Sequence, residues 1–338
     1  MKKLSLVLAA LLICSALGAC GSPSQPPAQG GDSQSTGATT PATNYPGNKA
    51  INMVCVYGAG GGNDTTARLI AKYFPEYLGT MVVSNVSGNS GQVGSQQVMS
   101  SQPDGYTLVF NDANTDMLFA GGMTDYSMEV WESFLIPATA DSASLQVSEW
   151  DTLEECIAWA KEHPGELTFG METGSNTEMT ACAFFQEFDI EGKLIDVGST
   201  SNQIAALAGG HVKMIVAPVG MTKDYREAGQ FNVLAFVLKD RHPNFPDIPT
   251  LIESGGPDWL YMPRYYYIGF PKGTDQSIID KFSSALEQIV ADERFIADME
   301  SVELTPNFMN PEQAQKYVDQ THEVWVKYAE AVNNFKGK

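Results

Sequence analysis

Three stretches of this chain carry the residue types that hold a small ligand. The first is Tyr57-Gly58-Ala59-Gly60-Gly61-Gly62-Asn63-Asp64-Thr65-Thr66-Ala67-Arg68. Glycines let backbone N–H groups come close to a ligand, and a helix N-terminus just after them favours negative charge. Tyr57, Gly60, Gly61, Gly62, Asn63, Asp64 and Thr65 are the candidate contacts here. Asp64 is a poor direct partner for an anion; it either caps the helix or meets an amino or hydroxyl group. The second stretch is Gly174, Ser175, Asn176 and Thr177, followed by Glu178. The third is Gly198, Ser199, Thr200, Ser201 and Asn202. Both offer hydroxyls, amides and free N–H groups, although Ser, Asn and Thr are also common helix caps. Asn111 to Thr115, with Asn114 as the chosen contact, follows a strand and lines the same side as the first stretch.

Other chemistries fit poorly. A dinucleotide fingerprint starting at Gly58 needs glycine where Asn63 stands, and no G-K-[ST] follows to make a phosphate loop. There is no G-x-S-x-G and no C-x-x-C, and the four His are scattered. Hydrolytic, zinc and redox catalysis therefore have little support, and no cofactor or metal is expected.

The elements that position these loops alternate. Ile51–Tyr57, Met81–Val83 and Tyr106–Phe110 read as strands, with helical spacing over Thr65–Tyr77 and Gly91–Ser101 between them. This is a βαβαβ pattern, the mark of a parallel sheet. It starts again with a helix over Asp151–Glu162, strands at Leu167–Gly170 and Leu194–Val197, and helices at Asn176–Phe188 and Ser201–Gly209. Strands at Val212–Ala217, Val233–Leu238 and Tyr265–Phe270 follow, and helices over Gln276–Ala291 and Pro311–Asn333 close the chain. The expected fold is α/β and two-lobed, with the ligand in the cleft where loops leave the strand ends. Residues 50–142 with 262–338 make the first domain and 143–261 the second, with crossings near 140–148 and 257–265. One of Tyr265, Tyr266 and Tyr267 reaches the cleft, while sheet packing accounts for most of this trio.

The start of the chain sets its address. Lys2 and Lys3 precede an apolar run, Leu4 to Ala19, that ends in Leu17-Gly18-Ala19-Cys20. The run is too short to span a bilayer comfortably and resembles a bacterial lipoprotein signal over 1–19, with Cys20 as the lipidated residue. Residues 20–49 read as the lipidated cysteine and a flexible tether, rich in Gly, Ser, Pro and Thr. The expected location is extracytoplasmic, tethered to a membrane at the cell surface or in the periplasm. The net charge of -20 argues against nucleic acid and anionic lipid as partners. Cys55, Cys156 and Cys182 remain in the folded part, where at most one disulfide forms; a Cys156–Cys182 bridge is open.

Several motifs together resemble the solute receptors of tripartite tricarboxylate transporters, the Bug family of extracytoplasmic binding proteins. The glycine loop with Asp64 to Arg68 is similar to that family's G-G-x-x-D-x-x-A-R. Asn85-Val86-Ser87-Gly88-Asn89-Ser90-Gly91 with Gly94 is similar to its N-x-x-G-x-x-G-x-x-G. Pro103-Asp104-Gly105-Tyr106-Thr107-Leu108, Ala208-Gly209-Gly210 with Val212, Phe245 to Thr250 with Glu253 and Gly255, and Pro271-Lys272-Gly273-Thr274 follow in the family's order. The resemblance implies a monomeric venus-flytrap receptor without catalytic activity. It would clamp a small carboxylate between two loop-and-helix ends and deliver it to membrane transporter subunits. A receptor for a membrane kinase and an exported hydrolase are the alternatives. The chain departs from the pattern at Val86-Ser87, where Arg-Pro is common, at Glu178, where His is common, and at Asp196 to Ser199, where P-Y-x-G is common. These changes favour a smaller, less charged or amine-bearing carboxylate over citrate.

Overall fold

The first apolar run forms β1 (Ile51–Cys55), and the glycine loop leads into α1 (Gly62–Tyr77). Then come β2 (Met81–Asn85), α2 (Gln92–Met99), β3 (Thr107–Asp112), α3 (Asn114–Ala120), β4 (Trp131–Thr139) and β5 (Ala143–Val147). The next elements are α4 (Leu153–Glu162), β6 (Thr168–Met171), α5 (Asn176–Glu187), β7 (Lys193–Asp196), α6 (Thr200–Ala208) and β8 (Met214–Pro218). They are followed by α7 (Lys223–Glu227), β9 (Asn232–Phe236), β10 (Tyr265–Pro271), α8 (Gln276–Val290), α9 (Glu293–Ser301), β11 (Thr305–Met309) and α10 (Pro311–Lys336). This computed structural model describes residues 44–140, 142–302 and 304–337; the leader, Cys20 and the tether through residue 43 lie outside them.

The strands make two sheets, in the orders β11-β4-β10-β3-β1-β2 and β7-β6-β8-β5-β9. β1 runs parallel to β2 and β3, as the βαβαβ reading requires, and β6 runs parallel to β7 and β8. Each sheet is completed by antiparallel strands. β10 pairs with β3 through Tyr266↔Asp112, and β5 pairs with β8 through Ala143↔Pro218. The chain therefore leaves the first sheet at Thr139 and enters the second at Ala143, on the sheet edges where β3 and β8 end. The loops before α1, α3, α5 and α6 share those edges. The architecture is two-lobed α/β. The first crossing is shorter than the 140–148 expected, because β5 already begins at Ala143.

Apolar burial fixes both layers. Ile51, Met53, Leu108 and Ile268 of the first sheet pack on Ile70 and Phe74 of α1 and Ile279 and Phe282 of α8. On the opposite face Val54, Val109 and Ile136 belong to a core that continues through Trp325 and Tyr328 of α10 to Phe169 and Phe184 of the second lobe. α10 starts at a capping box between Asn310 and Gln313, with Pro311 in its first turn. Its 26 residues extend about 39 Å, enough to pack on both α3 and α5. Removing a buried side chain the size of Trp325 would cost about 3–5 kcal/mol.

The folded body begins earlier than Ala50. Tyr45 is buried, its ring lies 5.3 Å from that of Tyr106, and its hydroxyl donates to the Gly105 carbonyl at 2.7 Å. A buried aromatic with a satisfied hydroxyl holds this segment, so residues 45–49 belong to the folded body and not to the tether expected over 20–49. Cys55, Cys156 and Cys182 are buried free thiols; the Cys156–Cys182 bridge does not form. No helix among the described residues is long and apolar enough to cross a membrane.

Candidate functional site

The glycine loop is held by Asp64, the third residue of α1. Its Oδ2 accepts the Gly60 N–H at 2.9 Å, and Gly60 itself needs glycine because its φ is 84°. Arg68 grips the same carboxylate from one turn on, Nε to Oδ2 and Nη2 to Oδ1, both at 2.9 Å. Asn85 at the end of β2 donates to Oδ1 at 2.8 Å and to the Tyr57 carbonyl at 3.0 Å. The Arg68 hydrogen bond, against the opposing effect of burial, draws the Asp64 carboxyl down to about 2. Both oxygens are thus occupied within the first lobe.

The second lobe repeats the plan. Glu178 is the third residue of α5, and its Oε2 accepts the N–H of Gly174, another positive-φ glycine (75°), at 2.8 Å. Its Oε1 pairs with Lys336, near the end of α10, at 2.8 Å. The Glu178 charge is therefore paired across the lobes, with a lysine of the C-terminal helix. Ser175 caps α5 by accepting the Thr177 N–H at 3.1 Å. Thr177 Oγ1 accepts from the Glu172 N–H at 3.0 Å and from Gln203 Nε2 at 3.3 Å. Gln203 also donates to the Gly198 carbonyl at 2.8 Å, which ties the α5 and α6 loops together. Asp196 accepts from Thr173 and from the Gly198 N–H, and the Thr173 hydroxyl lowers its pKa.

What stays open are the helix starts. Among the described residues, the N–H groups of Gly62, Asn63 and Asp64 on α1, Asn176 and Glu178 on α5, and Thr200 and Ser201 on α6 meet no protein acceptor. Ser199 precedes α6 without a side-chain cap. Such groups accept anions readily.

The two lobes meet at a small cavity of about 10 Å³ lined by Asp112, Asn114, Asn176, Arg264, Tyr266 and Trp325, among others. A void of this size holds about one water, so a bound solute requires its walls to move apart. Of the residues singled out from sequence as ligand contacts, it is Asn114 and Asn176 that line it. Tyr57 and Asn63 join from behind. Tyr57 donates to Asp112 Oδ1 at 3.2 Å, Asn63 donates to Asp112 Oδ2 at 2.9 Å, and Asn114 Nδ2 donates to the Tyr57 hydroxyl at 3.0 Å. Burial holds the Tyr57 hydroxyl protonated, well above its ordinary range. Gly60, Gly61, Gly62, Thr65, Gly174, Ser175, Thr177, Ser199, Thr200 and Ser201 do not line this cavity. Of the three tyrosines, Tyr265 and Tyr266 line it, whereas Tyr267 is buried in the sheet and bonds Thr115 at 2.8 Å. Asp112 and Arg264 were not named from sequence. Asp112 falls inside the expected 111–115 segment, while only the register of β10 brings Arg264 there. A larger cavity of about 770 Å³ lies beyond Pro263 and Arg264, against α10, but none of the open helix starts line it.

The family model for the tripartite tricarboxylate transporter family receptor matches residues 66–333. Protein BugT of Bordetella pertussis is 25% identical over 297 residues, which cover 85% of this chain and 90% of BugT. Among solved structures, R. palustris Rpa4515 with adipate aligns at a TM-score of 0.73 and 22% identity, over 86% of this chain and 98% of that one. MatC from Rhodopseudomonas palustris with bound malate aligns at 0.66 and 18% identity, over 85% and 100%. Open helix starts on two facing lobes suit a protein that holds a solute without transforming it, and the chain belongs to the tripartite tricarboxylate transporter receptor family of extracytoplasmic solute-binding proteins, which are not enzymes.

Proposed function

We propose that this chain captures a small carboxylate between its lobes and delivers it to the membrane subunits of a tripartite tricarboxylate-type transporter. The lobes are 50–142 with 262–338, and 143–261. The observation that carries this reading is the matched pair of loop-and-helix starts, each with its own N3 carboxylate already bonded and its N–H groups open. The ligand carboxylate takes N–H groups and side chains from Tyr57, Gly60–Asn63 and Thr65 with Asn114 on one lobe, and from Gly174–Thr177 and Ser199–Ser201 on the other. Asp64 and Glu178 shape these loops and do not touch the solute. Binding both lobes favours the closed state. The adipate and malate of the structural neighbours support a carboxylate as the solute class. The protein acts as a monomer, anchored through lipid on Cys20 after removal of residues 1–19.

Thermal unfolding of the purified full chain, screened against mono-, di- and tricarboxylates and amino acids, tests the reading. A ligand at a hundred times its dissociation constant stabilises by about 2.7 kcal/mol, a shift of several degrees. Protein shown to be free of carried-over ligand that shifts with none of them would overturn it.

A further inference from the structure

We infer that Asp112 accepts a cationic amine of the ligand, so that the solute is an amino-bearing small carboxylate of the α-amino acid type. This rests on the interlobe site proposed above and names its ligand class. Asp112 ends β3 and lines the cavity, yet it is only 7% exposed. Its partners are all neutral: the Tyr57 hydroxyl at 3.2 Å, the Asn114 N–H at 3.0 Å and Asn63 Nδ2 at 2.9 Å. Among the described residues it has no ion pair with Lys, Arg or His. Buried charges are normally paired, and a carboxylate offers about four acceptor sites, of which these bonds use three.

Asn63 backs Asp112 from outside the cavity lining. Its amide nitrogen must face the Asp112 carboxylate, because only the NH2 end can donate. That fixes Oδ1 as an acceptor, and this atom is buried with no partner, on a side chain that is 8% exposed. One wall of the site thus holds a carboxylate without a cation and, behind it, an acceptor without a donor. An ammonium group supplies the cation and N–H donors that Asp112 lacks, whereas a second carboxylate would add like charge beside it.

The opposite requirement stands in the same cavity. Arg264 also lines it and, among the described residues, forms no ion pair; its interaction is with the Tyr266 hydroxyl. Asn176 enters from the second lobe at the start of α5. A guanidinium and an amide beside an open helix start suit a carboxylate. Charges of opposite sign that line one cavity without an ion pair match a zwitterion better than a di- or tricarboxylate.

Isothermal titration of the ligand-free full chain with matched pairs tests this: L-alanine against propionate, L-aspartate against succinate, and L-glutamate against glutarate. In the wild type at least one amino member should bind about tenfold or more tighter than its deaminated partner. In Asp112→Asn that preference should collapse to within about threefold, with circular dichroism showing the fold intact. Deaminated partners binding the wild type as tightly as the amino acids would overturn the inference and leave the carboxylate receptor standing. So would an Asp112→Asn protein that keeps the preference. Failure of every compound to bind the wild type overturns both readings. The wild-type comparison needs no variant, so it decides the matter even if Asp112→Asn does not fold.

Discussion

Asp64 and Glu178 stand in the same relation to their loops: each is the third residue of its helix, and each accepts the N–H of the positive-φ glycine four residues before it, Gly60 at 2.9 Å and Gly174 at 2.8 Å. The two differ in their cation. Asp64 takes Arg68 from its own helix, whereas Glu178 takes Lys336 from α10. The first lobe's loop is therefore self-contained, while the second depends on the C-terminal helix.

Asp64→Asn should destabilise the protein at pH 7 by about 1–2 kcal/mol, the free-energy equivalent of the lowered carboxyl pKa reduced for the half-exposed Arg68. A folded-state pKa near 2 lies below the unfolded value, so this contribution is complete above about pH 4. It fades as the pH falls towards about 2. Urea unfolding of both proteins from pH 7 to pH 2 should show the gap closing over that window. A gap that stays constant would rule out the ionised carboxylate as its source.

Glu178 and Lys336 should be coupled. A double-mutant cycle of Glu178→Gln and Lys336→Met is expected to give a coupling of about 1 kcal/mol in denaturant unfolding. Lys336→Met should be the worse single change, since it leaves the buried Glu178 carboxylate without a cation, whereas the half-exposed Lys336 left by Glu178→Gln stays solvated.

Gly62 has no room for a side chain. A Cβ there would lie 2.8 Å from the Tyr266 hydroxyl oxygen but 3.9 Å from the ring carbon that bears it. Gly62→Ala should cost about 1–3 kcal/mol through overpacking. Adding Tyr266→Phe should restore most of the loss, because it removes the atom that clashes. Melting temperatures of the single and double variants check this. A double variant no more stable than Gly62→Ala would place the cost in the backbone.

The thiols should be silent in the native state. Burial pushes Cys156 and Cys182 up to about 12 and raises Cys55 as well. A colorimetric thiol reagent at pH 8 should leave all three unmodified until denaturant is added, then modify all three without prior reduction. Rapid native labelling would contradict their burial.

Much of the fold was legible because its signals are local. Apolar runs separated by helical spacing disclosed the parallel strands β1, β2 and β3. Ser175 and Asn176 disclosed the start of α5, whereas α1 begins at Gly62, three residues before the expected Thr65, because the last glycine of the loop already takes helical backbone. β4 was missed for a physical reason. Its Phe134-Leu135-Ile136-Pro137-Ala138 segment is buried throughout, so it shows no alternation, and Pro137 argues against an interior strand. The structure places Pro137 where the register shifts against both neighbouring strands, which is how the sheet tolerates it.

The sequence by itself determined which groups each helix start presents, since a cap and its N3 carboxylate lie within four residues of one another and local geometry joins them. Only the tertiary structure decided what those groups face. Lys336 reaches Glu178 because α10 packs along α5. Asp112 becomes a buried acceptor because Tyr57, Asn63 and Asn114 converge on it from three segments. Arg264 joins that cavity because β10 pairs antiparallel with β3 in a register that sets Tyr266 opposite Asp112. Residue spacing along the chain carries no record of such pairings; strand order and helix packing create them.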